Sequence, residues 1–458
     1  MMTPIFALMA FFLLCGTAFD IFGGLTPKQM PSAPLKDIIS AFSLLQNIEF
    51  ILSSKKVGSD RLEGIRALSM TWVVLRHSFA FSLPLLFVNN KELIIKIKDG
   101  QVGLAFQAVT QGEYAVDTFF FIGATLVSYL LHKDLDKTGG WTGKQGLVHM
   151  VVFYVNRILR ITVPYAFTIM FMISIPPLVI KTPLSAAAYA HESSSACQEY
   201  WWHHLLYIHN FVPGAQGCIS QSWFLAADMI FFAASPLLIY PLWLSTKQQS
   251  ALRVASILWC LSFLLLSIAW CLRCTINYSS GGSLEEFCWT DIVQPDFAPW
   301  GRRSHAYILG ILMGHTLHST RGKTVKIPTV FAFIIWQTVL LVFFSVIYAP
   351  YNTSLLTWKR VAGGGRSMTT LQRFWYSSSH LLWSSALTWL VFACSRGLGG
   401  PITQLLTWQG WTPVSKVSFM TYLLHMDFNW IFFFMQVRKS CLVRKCEQVK
   451  KLLQQLKK

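Results

Sequence analysis

The sequence predicts an all-α fold, a polytopic transmembrane helical bundle of about ten spans. Three observations carry that expectation. Hydrophobic residues make up 53% of the 458 positions and charged ones 13%, about half the charged share of an ordinary soluble domain. The apolar residues fall in runs close to the ~20 needed to cross the hydrocarbon of a bilayer. Basic residues outnumber acidic ones by 38 to 20, yet they are scattered in short stretches between the runs. That is a positive-inside pattern, and it argues against the single basic face of a nucleic-acid binder. A disordered chain, a coiled coil and a disulfide-stapled mini-domain are excluded by the same composition.

In chain order the expected spans are Ile5–Phe22, Ala67–Phe87, Ala115–His132, Ile161–Ile180, Trp223–Leu244, Val254–Leu272, Ser304–Leu317, Val330–Tyr348, Phe374–Cys394 and Val417–Met435. The seventh is short and carries Gly310 and Gly314 at the small-xxx-small spacing of closely packed membrane helices. The first run reads as an anchor with its N-terminus outside, because no Lys or Arg precedes Lys28; a signal peptide is the other reading. The domain organisation follows: an anchor over 1–23, a cytoplasmic linker over 24–60, a membrane domain over 61–436 and a basic tail over 437–458.

With this orientation the basic residues favour the inner stretches, as the rule requires. The tail Arg438–Lys458 is the exception, since ten spans place it outside. The outer stretch 181–222 holds Cys197 and Cys218, whose pairing suits an oxidising compartment. Cys274 and Cys288 share the next outer stretch. The sequons at Asn277 and Asn352 also fall outside, as glycosylation requires.

Residues that could do chemistry sit at unusual places for charge. In Arg61-Leu-Glu-Gly-Ile-Arg66-Ala-Leu-Ser-Met-Thr-Trp-Val-Val-Leu-Arg76-His77, helical rise puts His77 about 16 Å above Arg66, near mid-membrane. An ionisable group there is a functional candidate, and imidazole suits a general base; a packing His hydrogen-bonded to a neighbour is the plainer reading. Arg76 needs a carboxylate or a watery cavity. Asp117, at the outer end of the third span, and Asp228, in the fifth, are the two carboxylates that could orient His77 or pair with Arg76. Arg157 and Arg160, at i and i+3, share a helix face near the inner boundary, where guanidinium forks could hold phosphate; topology anchoring is the alternative. Secondary marks are Arg303 at an outer boundary and His425 with Asp427 in the tenth span. His203, His204 and His209, beside Trp201 and Trp202, read as an interfacial belt rather than a metal site. There is no zincin motif and no nucleophile elbow, and no metal is expected.

Taken in order, several marks resemble the acyltransferase-3 family of multi-pass membrane proteins, and its invertebrate "nose resistant to fluoxetine" branch. They are the Arg66-to-His77 spacing, Val116-Asp117-Thr-Phe-Phe, Arg157-x-x-Arg160-x-x-x-Pro164 and Cys218-x-x-x-Ser222-Trp-Phe-Leu-Ala-Ala-Asp228. Arg303-x-x-x-Tyr307-x-x-Gly310-x-x-x-Gly314 and Ser415-Lys-Val-Ser-Phe419-x-x-Tyr422-Leu-Leu-His425 follow. They run from about Ala41 to about Asp427. The resemblance implies transfer of an acyl group, other than an amino-acyl group, from cytoplasmic acyl-CoA to a hydroxyl-bearing lipid or small-molecule acceptor. It implies His77 as base, Arg66 as a partner in its motif, and Arg157 and Arg160 as the donor site. It also implies a Cys-rich domain before the first anchor and a further span after His425, so the expectation is a chain shortened at one end and altered at the other. Arg76 stands where the family pattern has a small residue, and Gly123-Ala124 where it has Ser-Gly. Partners on this reading are acyl-CoA and membrane lipids, in the plasma membrane or an endomembrane. The rival from another class is a non-enzymatic lipid or xenobiotic carrier on the same scaffold.

Overall fold

The protein is described by a computed structural model over residues 3–23, 38–53, 60–82, 104–141, 143–176, 185–212, 214–247, 250–279, 298–323, 325–349 and 370–443. Asn352, Cys288 and most of the basic tail lie outside these residues, as do the side chains of Asn277 and Cys274. All regular structure among the described residues is helical. The helices are α1 (Thr3–Gly23), α2 (Leu44–Leu52), α3 (Asp60–Ser82), α4 (Leu104–Thr110), α5 (Tyr114–Thr138), α6 (Gly143–Ser174) and α7 (Ser185–Leu205). After three single 3₁₀ turns come α8 (Trp223–Lys247), α9 (Ser250–Ser279), α10 (Ala298–Ser319), α11 (Thr329–Tyr348), α12 (Thr370–Ser395), α13 (Gly400–Leu406) and α14 (Trp411–Val443). Each of the ten expected spans overlaps a helix among the described residues, and the ends of two of them, 83–87 and 177–180, lie outside those residues. Four segments, α5, α6, α8 with its preceding turn, and α11, are long and apolar enough to cross a membrane on length and composition alone.

The chain divides into two compact units, one of residues 1–68 with 400–421 and one of 69–399 with 422–458. In the first, Ser43 caps α2 by accepting from the Gln46 amide, while its hydroxyl donates to Asp20 at 2.9 Å. Gln46 donates to the other Asp20 oxygen at 2.6 Å, and the Leu44 amide donates to Thr17. Polar side chains at helix ends thus satisfy the amides that a helix start leaves open. Lys416 closes the other end of α2, donating to the carbonyls of Phe50 and Ser53.

The second unit is organised around α5. Phe120, Ala124, Val127, Leu131 and Leu135 form one buried stripe at helical spacing. They pack against Phe232, Ile239 and Leu242 of α8 and against Ala306, Tyr307 and Ile311 of α10. Gly310 and Gly314 let α10 approach α5 directly: a Cβ at Gly310 would fall 2.7 Å from the Ala124 methyl, and one at Gly314 2.6 Å from Ser128 Cβ. Ser128 donates to the Ile311 carbonyl at 2.8 Å across this contact, a polar tie between backbones brought close by small residues. Around this core the helices turn apolar side chains outward, for example Leu258, Leu265 and Leu266 on α9 and Phe331, Phe333 and Phe344 on α11. Faces so large and so apolar are stable against lipid, not water. The protein is an all-α membrane bundle.

Two segments differ from the sequence expectation. The stretch before Ile161, expected as a cytoplasmic connection, is the first half of α6, so Arg157 and Arg160 lie inside a helix of span length. The charge marked a boundary in the sequence; in the fold Arg157 is neutralised within the bundle. The stretch 181–222, expected as an outer loop, is largely helical over its described residues, which form α7 and the 3₁₀ turns.

Candidate active site

Three clusters of ionisable side chains among the described residues of the second unit include the residues marked in the sequence. The first joins α3 to α14. His77 Nδ1 and His425 Nε2 lie 2.7 Å apart, and the rings stack with centroids 4.9 Å apart. His425 Nδ1 lies 2.8 Å from the Tyr422 carbonyl. The turn carrying Tyr422 is itself held: its hydroxyl donates to the Gln221 carbonyl, and Gln221 Nε2 donates to the Leu423 carbonyl at 2.7 Å. Arg76 points away from the pair and meets Glu113 at 3.5 Å, as the ~100° step between successive helical residues requires. Trp72, one turn earlier, donates to the Ala108 carbonyl.

The second cluster centres on Asp117, which is fully buried. Arg303 donates to one of its oxygens at 2.9 Å and to the Glu113 carbonyl at 3.4 Å. His380 Nδ1 meets its other oxygen at 2.6 Å. Tyr114 stacks on Trp383 and donates to Ser379 at 2.8 Å, while Trp383 donates to Thr118. The third cluster is Arg157 with Asp228, 2.5 Å apart, the guanidinium lying 4.4 Å from the Phe232 ring centre. Arg160, one turn on, is exposed.

The carboxylates therefore divide differently from the sequence expectation. Asp117 and Asp228, read as possible partners of His77 or Arg76, bind Arg303 with His380 and Arg157 respectively. The described partner of His77 Nδ1 is another imidazole. The physical reason is charge balance, since each buried guanidinium takes the carboxylate that removes its cost. Arg66 is half-buried on α3, in the first unit. His380 was not singled out from the sequence; it lies in a serine-rich run on α12 with no spacing to mark it. Also missed was a group at the far end of α5, where His132 Nε2 lies 2.9 Å from His315 Nδ1 and Asp136 binds His318 and Lys247 at 3.0 and 3.1 Å. The i, i+4 pair His132/Asp136 and the i, i+3 pair His315/His318 were its available signal. Among the described residues no group of His, Cys, Asp or Glu has the geometry to hold a metal ion.

A disulfide joins Cys197 on α7 to Cys218 beside the 3₁₀ turns, their Cα atoms 4.4 Å apart. The Tyr165 hydroxyl donates to His204 Nδ1 at 2.5 Å, while His204 Nε2 donates to the Ala215 carbonyl. His204 and His209 stack at 4.0 Å, with Ser222 between their nitrogens. Burial pushes the His204 imidazole down to about 4 and that of His209 below its ordinary value as well. Both rings are thus buried structural members, while Trp201 and Trp202 beside them are exposed. Thiol labelling of the intact protein is expected to leave Cys197 and Cys218 unmodified until reductant is added; labelling of either beforehand would contradict the bridge.

Fold and clusters together define a polytopic membrane protein whose helices bring ionisable side chains together in matched pairs. The acyltransferase-domain model of the acyltransferase-3 type matches residues 59–439, and the chain belongs to that family. It is 26% identical to Nose resistant to fluoxetine protein 6 of Caenorhabditis elegans over 438 residues, 90% of this chain and 51% of that protein. A Staphylococcus aureus (strain COL) protein named for O-acetyltransferase activity is 24% identical over 164 residues, 35% of this chain and 25% of that protein. The chain thus spans about half the length of the nematode relative and about a quarter of the bacterial one is aligned. No solved structure matches it.

Proposed function

We propose that the chain is an integral membrane acyltransferase in which 61–436 forms the working domain, acyl-CoA is the donor and a hydroxyl-bearing lipid or small molecule is the acceptor. The observation that carries the reading is the His77–His425 pair, an imidazole held by a second imidazole on the facing helix of an acyltransferase-family domain. In the proposed step His77 takes the acceptor hydroxyl proton as the oxygen attacks the thioester carbonyl. The tetrahedral intermediate then expels the thiolate by C–S cleavage, and the thiolate recovers the proton from the imidazolium. The products are an ester and CoA, and the base is regenerated.

Donor phosphates are assigned to Arg160, which is exposed, with Arg157 lending charge from its pair with Asp228. Arg66 is assigned to the same motif as His77. Asn277 and Asn352 are the proposed glycan acceptors, and the surrounding partners are membrane lipids.

The test is CoA release by the purified protein in a lipid bilayer, with a panel of hydroxyl acceptors. Acceptor-dependent release is the expected result. Donor binding and lipid movement without release would replace the enzyme with the carrier.

A further inference from the structure

We infer that His425 is the positioning residue that fixes the ring tautomer of His77, so that His77 offers Nε2 as its basic nitrogen. This rests on the reading of His77 as the base. Protons can be counted along three groups, the Tyr422 carbonyl, His425 and His77. The Tyr422 carbonyl can only accept, so His425 Nδ1, 2.8 Å away, carries a hydrogen and donates it. A neutral His425 then has its lone pair on Nε2. That nitrogen lies 2.7 Å from His77 Nδ1, which must be the donor of the pair. A neutral His77 protonated on Nδ1 has its lone pair on Nε2. The tautomer of a histidine is set by the bond its other nitrogen makes, and here the sequence Tyr422 carbonyl, His425, His77 permits one neutral arrangement only.

The geometry also keeps that arrangement rigid. Tyr422 is fixed through Gln221, whose own amide returns to the Leu423 carbonyl, so the turn that carries the accepting carbonyl is tied at two points. Ring stacking leaves His425 little room to flip. Removing the His425 acceptor would free His77 to protonate on Nε2, which is the preferred tautomer of an isolated imidazole, and would turn its lone pair away from the position the pair now assigns.

The experiment combines the ¹⁵N spectrum of histidine-labelled full-length protein in lipid nanodiscs with acceptor-dependent CoA release. The His77 signals are assigned by their loss in His77→Phe. In the unmutated protein His77 is expected to show an unprotonated Nε2 and a protonated Nδ1. His425→Gln, whose side-chain oxygen can stand where Nε2 stood, should keep that tautomer and keep turnover within about tenfold. His425→Leu should shift His77 toward the Nε2-protonated form and lower turnover about 100-fold, within the range of general-base contributions. A protonated His77 Nε2 in the unmutated protein would overturn the inference, and so would a His425→Leu variant with unchanged tautomer and turnover. If instead His77→Ala turns over normally, the base reading falls, and the nitrogen signals still decide the tautomer on their own.

Discussion

His77→Ala is expected to lower acceptor-dependent CoA release at least about 100-fold while donor affinity stays near its original value. The argument is one of place. His77 is half-buried, faces a second imidazole rather than a carboxylate, and its neighbour Arg76 is engaged by Glu113. His77 joins α3 to α14 by an imidazole–imidazole contact, and a contact of that kind is worth less than a buried ion pair such as Arg303–Asp117, so truncation should remove chemistry more than stability. The measurement is kcat and KM with acyl-CoA in a bilayer, beside a thermal unfolding curve for each protein. A fall in kcat with unchanged unfolding supports the base. An unchanged kcat in a folded variant contradicts it.

The largest stability effect is expected from Asp117→Leu, which should destabilise the protein by about 3–5 kcal/mol, the usual loss when one member of a buried ion pair is removed. The Arg303 side chain is 8% exposed and Asp117 not at all, so the guanidinium left behind would lose its Asp117 carboxylate with little access to water. Asp117→Leu combined with Arg303→Leu should recover part of that loss, because the stranded charge goes with its partner. Unfolding of the single and double variants in detergent micelles reads this directly. Equal stability of Asp117→Leu and the unmutated protein would show that the network carries no net charge compensation.

The all-α membrane bundle was legible in the sequence because apolarity is a property of each stretch by itself. Arg157 shows where that reading stops: a charge inside an apolar run looked like a membrane boundary, and only Asp228 on another helix makes it acceptable within one. The disulfide was legible because both cysteines share one short stretch between apolar runs. Partnership across the bundle was not. His380 binds Asp117 from 263 positions away, and no local spacing encodes such a meeting. His425 was marked as a residue of interest, but its role depends on the Tyr422 carbonyl and on α3 facing α14, which only the fold supplies.

The pairing of charges has an electrical consequence. A lone charge crossing the membrane field feels about 2.3 kcal/mol per 100 mV. Arg76 with Glu113, Arg303 with Asp117 and Arg157 with Asp228 are each held as a plus beside a minus. A membrane potential therefore does opposing work on the two members of each pair and almost none on the pair as a whole. For these three pairs, a rearrangement that keeps both members together proceeds at nearly the same cost in a polarised membrane as in a depolarised one.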